Sequence, residues 1–69
     1  MVEVFTTGIE NRHMAAMIQS ALLQQFPDME VNIDLDDCDR ILRCESECID
    51  TNAVIAIVKS HKIEIAILT

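Results

Sequence analysis

The chain has 69 residues, a formal net charge of −7, and a hydrophobic share of 51% of which very little is aromatic. A chain this short folds as one domain, 1–69, and cannot both bury a core and line a deep cleft, which argues against an enzyme. The acidic balance repels phosphate backbones and anionic membrane surfaces, so no nucleic acid is expected as a partner, and no apolar run approaches the ~20 residues of a membrane span.

Val2, Val4 and Thr6 alternate with Glu3, Phe5 and Thr7 at the start of the chain, a period of two that predicts a strand. Gly8, the single glycine, marks the turn that follows. Residues 11–26 contain no Pro, Gly or Thr, and Met14, Met17, Ile18, Ala21 and Leu22 recur at steps of three and four. This predicts an amphipathic helix capped by Asn11 and ended at Phe26 by Pro27.

Next comes "EVNIDLDD", which sets Val31, Ile33 and Leu35 against Asn32, Asp34 and Asp36. The polar cluster "DDCDR" reads as a turn and "ILRCES" as the returning strand, so 31–46 forms a hairpin. A second helix over "NAVIAIVKSH" is capped by Asp50 or Thr51, although its β-branched content would also suit a strand. The last segment, "KIEIAIL", alternates Ile63, Ile65 and Ile67 with Glu64, Ala66 and Leu68 and predicts a final strand.

The order β-α-β-β-α-β, with right-handed crossovers, gives an α+β ferredoxin-like fold. Its four-stranded antiparallel sheet runs 4-1-3-2, with both helices on one face. That fold hosts many functions and specifies none.

On this scaffold the chain resembles the heavy-metal-associated domain family of copper chaperones and ATPase metal-binding modules, over nearly its whole length. Gly8-Ile9 matches the Gly-Met that opens the family's Gly-Met-x-Cys-x-x-Cys loop, with Ile9 as the apolar anchor. "QFPDMEV" echoes the Leu-Pro-Gly-Val segment, Val31, Ile33 and Leu35 echo its second strand, and Lys62 stands where the family has a lysine or aromatic. The resemblance implies a soft-metal carrier, yet its two cysteine positions fall on Asn11 and Met14. Asn is a poor soft-metal ligand, and a thioether binds Cu(I) far more weakly than a thiolate pair does.

The topology collects Asn11, Arg12, His13, Met14, Asp37, Cys38, Asp39, His61 and Lys62 at one end of the sheet. Imidazole and thiolate suit Cu and Zn, so His13, Met14 and His61, joined by Cys38 from the same or a second molecule, are the candidate substituted ligands. The plainer reading is that two loop histidines are solvated, with Cys38 and His61 near opposite edges of the sheet. The carboxylates of "DLDDCD" suggest a calcium loop but lack its glycine, so they read as a solvated acidic edge.

Three cysteines without a signal-peptide pattern predict free thiols in a complete, cytoplasmic chain. Cys44 reads as a small core hydrophobe. A Cys38–Cys48 bridge would exceed the ~7 Å Cα limit, and a Cys44–Cys48 bridge would be strained.

The second helix is apolar all round from 53 to 58. If Ala53, Ala56, Ile57 and Ser60 face the sheet, then Val54, Ile55 and Val58 are left partly exposed, a surface for a homodimer or another protein partner. Two functions follow from the residues: a non-enzymatic interaction or regulatory module, or a Cu/Zn-handling protein with substituted ligands. A small-ligand regulatory unit that pairs through its sheets stands third, because its loops would lack glycine.

Overall fold

Alternation at the N-terminus becomes β1 (Val2–Thr7), and the run after Asn11 becomes α1 (Arg12–Gln25). The acidic segment forms β2 (Glu30–Asp34) and its return β3 (Ile41–Glu45), followed by α2 (Thr51–Ser60) and β4 (Ile65–Ile67). These come from a computed structural model of the protein, which describes residues 1–36 and 38–68. The expected place of Asp37 at the loop end lies outside the described residues.

The sheet is antiparallel throughout in the order β2-β3-β1-β4, the expected ferredoxin-like arrangement. Register places Val4 opposite Arg43, Phe5 opposite Leu42 and Ile67, and Val31 opposite Cys44. Directly opposed residues share a face. One face therefore carries Phe5, Val31, Leu42 and Cys44. Ile18 and Leu22 of α1 and Val54 and Val58 of α2 join these residues in one buried cluster, which puts both helices on that face.

Both helices start as the sequence predicts. Asn11 Oδ1 accepts the Met14 N–H at 2.9 Å, and Asp50 Oδ1 accepts the Ala53 N–H at 3.1 Å, each satisfying a donor that the first turn leaves unpaired. The first helix stops where Pro27 requires: the Phe26 N–H donates to Leu22 C=O at 2.8 Å and the chain then turns. Ile9 is completely buried under the first loop. Gly8 has no positive φ, and a Cβ there would meet Glu64 at ordinary van der Waals distance, so the turn does not require glycine.

The orientation of α2 differs from the expectation. Val54 and Val58 are fully buried, Ile55 is half-buried against the core, and Ala56 and Ser60 face outward. The larger valines remove more apolar area from water than alanine and serine would, so the helix turns its bulk inward. That removes Val54 and Val58 as a partner surface.

The last strand is also shorter than the alternation suggests. Ile63 is buried before β4 begins, because Lys62 takes the left-handed conformation (φ 62°) that ends α2 and redirects the chain.

Candidate functional site

At the loop end, three segments are stitched together by backbone. The Thr7 N–H donates to Asp39 C=O (3.2 Å), the Thr7 hydroxyl to Arg40 C=O (2.6 Å) and the Gly8 N–H to Glu64 C=O (2.9 Å). The first loop, the β2–β3 turn and the start of the last strand therefore meet, as the topology predicts.

The residues in the family's cysteine positions do not converge on a ligand there. The Asn11 side-chain Oδ1 is occupied by the helix cap, and Met14 is partly buried against the core. A soft metal at these two positions would have to break the cap and pull a core side chain into solvent. The residues do not fit it.

Of the four sequence candidates, the structure brings together two. His13 and His61, both exposed, line one groove of about 440 Å³ between α1 and the end of α2, while Met14 and Cys38 are absent from its lining. Met17, which sequence reasoning assigned to the apolar helix face, lines it instead and is 40% exposed. Helix arithmetic could have found it. With Ile18 and Leu22 buried, positions 13, 17, 20 and 24 fall on the outer stripe. Among the described residues no group of three or more His, Cys, Asp or Glu side chains is placed to hold a metal ion.

The second candidate surface is the face of the sheet that the helices leave uncovered. Register puts Val2, Val4 and Thr6 of β1 on it, beside Ile41, Arg43 and Glu45 of β3, Ala66 of β4, and Glu30, Asn32 and Asp34 of β2. Leu68 extends the row, its N–H donating to Val4 C=O at 2.9 Å.

This face divides in two. Val2, Val4, Ile41, Ala66 and Leu68 form an apolar half, in which Val2 and Leu68 are 46% and 48% exposed. The other half is acidic. Glu30 stands directly opposite Glu45, an unfavourable like-charge pair, and Arg43 bridges Glu45 at 2.8 Å on the same strand.

All three cysteines are free thiols. Cys44 is fully buried, and desolvation pushes its pKa up to about 11, whereas Cys38 and Cys48 are exposed. Because the thiolate is the reactive form, two thiols of the native protein should titrate quickly with a chromogenic thiol reagent. The third should appear only on unfolding. Rapid reaction of all three in buffer would contradict the placement of Cys44. The raised pKa also means that the native state keeps its thiol protonated: this contribution to stability is intact below the unfolded value and is lost as pH rises through about 11.

Comparison with protein-family models and with curated proteins finds no match to this chain. No helix among the described residues is long and apolar enough to cross a membrane.

Proposed function

We propose that the protein is a non-enzymatic interaction module. Its working surface is the open face of the sheet, and its partner is a protein segment that sets basic side chains beside apolar ones. The observation that carries this reading is the division of that face into an apolar half and an acidic half. Exposed, contiguous apolar area rimmed by polar groups marks interaction sites. The acidic half selects the partner's charge. A second copy packed face to face would bring carboxylates from two chains of net charge −7 toward each other, whereas lysine or arginine near Glu30 would relieve its opposition to Glu45.

Catalysis has little support in the side-chain geometry. Ser60 and His61 are adjacent, but the Ser60 hydroxyl donates to Ile57 C=O at 2.6 Å and His61 Nδ1 lies 3.0 Å from the same oxygen. The Ser60 proton is thus directed at a backbone carbonyl, and its 3.3 Å approach to His61 Nδ1 is the longer contact. No polar or charged side chain among the described residues is buried, and the one desolvated acid among them, the Cys44 thiol, is packed in the core away from any groove.

The scaffold resemblance to heavy-metal-associated domains is compatible with this reading. The two ligand positions that this resemblance points to are taken by a helix cap at Asn11 and a core side chain at Met14. A photo-crosslinking amino acid at Ala66, which is exposed on the open face, tests the proposal by trapping whatever docks there.

A further inference from the structure

We infer that two copies of this chain pair edge to edge through β4, joining their four-stranded sheets into one continuous antiparallel sheet. The contact lies at the sheet edge, not on the open face, and does not depend on the function assigned to that face.

The hydrogen-bond pattern fixes which backbone groups each free edge offers. The Gly8 N–H donates to Glu64 C=O and the Leu68 N–H to Val4 C=O, both at 2.9 Å, so Glu64, Ala66 and Leu68 bond toward β1. Alternation along an antiparallel ladder then turns the N–H and C=O of Ile65 and Ile67 outward. At the other edge, the Ser46 N–H donates to Met1 C=O at 3.0 Å, which by the same alternation turns Cys44 and Leu42 toward β1. Val31 and Ile33, opposite those two residues, are therefore the outward positions of β2.

The two edges are guarded differently. Val31 C=O already accepts the Gln19 side-chain amide at 3.2 Å, and Glu30 and Asp34 flank the outward residues. A two-fold axis at Asn32 would set Glu30 opposite Asp34 of the second copy, and directly opposed like charges destabilise a strand pair. Strand β4 has neither device. Ile65–Ile67 carries no charge, Ile67 and Leu68 are 45% and 48% exposed, and a groove of about 420 Å³ opens beside Thr6, Ile65 and Ala66.

This strand is complementary to itself. A two-fold axis at Ala66 brings Ile65 opposite Ile67 of the second copy and Ile67 opposite its Ile65, so each outward N–H and C=O meets its counterpart. The isoleucines pair as β-branched neighbours on the helix side, and Ala66 meets Ala66 on the open side. Glu64 falls opposite Leu68, which keeps the two Glu64 carboxylates about 13 Å apart along the strands, beyond the Debye length of ~8 Å at physiological salt. Chains of net charge −7 thus meet along their uncharged edge, with β2 of each at the far end. The two apolar halves of the open faces become one patch with acidic flanks.

Sedimentation velocity on the full chain, kept reduced because Cys38 and Cys48 are exposed, tests the pairing. A dimer is expected at or below roughly 1 mM protein, where even a contact of millimolar affinity is populated. Isotope-filtered NMR on a mixture of labelled and unlabelled chains should show Ile65 of one copy touching Ile67 of the other. Ile67→Pro should weaken the dimer about tenfold or more and keep the ladder to β1, because the N–H it removes faces away from β1. Ile67→Ala keeps that donor and should weaken it less. A monomer at that concentration, contacts between copies that leave out Ile65 and Ile67, or equal weakening by the two substitutions would overturn the pairing. The filtered contacts, read on the unaltered chain, decide the question even if Ile67→Pro does not fold.

Discussion

Replacing Val54 with glutamate should abolish the folded state, whereas the same replacement at Ala56, two residues on, should change stability by no more than roughly 0.5 kcal/mol. Val54 is fully buried between α2 and the sheet, and no polar or charged side chain among the described residues shares its environment. A carboxylate placed there either keeps its charge without a partner or takes up a proton, and each costs several kcal/mol. Ala56 points to solvent on the same helix, and glutamate is a good helix former. Urea unfolding followed by far-ultraviolet circular dichroism reads the difference, since the chain has neither tryptophan nor tyrosine. Cooperative folding of Val54→Glu together with loss of Ala56→Glu would reverse the orientation of α2 and return the valines to the surface.

Truncating Phe5 to alanine should cost about 3–5 kcal/mol. Phe5 is completely buried at the centre of β1, opposite Leu42 on one side and Ile67 on the other. At 0.05–0.15 kcal/mol per residue a domain of this length holds roughly 3–10 kcal/mol in all, so the variant should be partly unfolded without denaturant. Its neighbour gives the contrast. Val4 lies on the opposite face, and Val4→Thr should cost about 1 kcal/mol or less, because both residues are β-branched and suit a strand. Equal losses at the two positions would mean that both faces of the sheet are covered, leaving no open surface for a partner.

Residues 4 and 5 also show where sequence reading stops. The alternation of β1 is plain, but it places Val2 and Val4 on one side and Phe5 on the other, so both sides look apolar and the pattern does not say which meets the helices. Only pairing with Leu42 and Ile67 decides it. In β2 the same period sets Val31 and Ile33 against Asn32 and Asp34, and there the buried face is legible at once.

Helix orientation follows the same logic. The polar stripe of α1 fixes its rotation, and its caps at Asn11 and Phe26 fall where Asn and Pro predict. Helix α2 presents Ala53, Val54, Ile55, Ala56, Ile57 and Val58 in succession, with no polar residue to mark the outside, and side-chain volume settled what polarity could not.

The candidate site was legible in part. The chain order alone is enough to bring His13 and His61 to one end of the fold. The resemblance in the first loop points to Met14, and the apolar periodicity puts Met17 on the core side, while the turn of the helix exposes position 17. The apolar half of the open sheet face needed the register of three strands, which no single segment carries.

The most direct measurement of the central claim compares two exposed alanines on opposite layers, Ala66 on the open sheet face and Ala56 on the outer side of α2. Each is replaced in turn by a photo-crosslinking amino acid in the full chain, and the adducts formed in producing cells are mapped by mass spectrometry to the residue contacted. An interaction module of the proposed kind gives, from position 66 and not from 56, a discrete adduct with a different protein at a segment rich in Lys or Arg next to apolar residues. That adduct is lost when Val2→Glu and Leu68→Glu are introduced into the still-folded chain. Adducts only between copies of this chain, adducts from position 56 alone, or a position 66 adduct indifferent to those two charges would contradict the account.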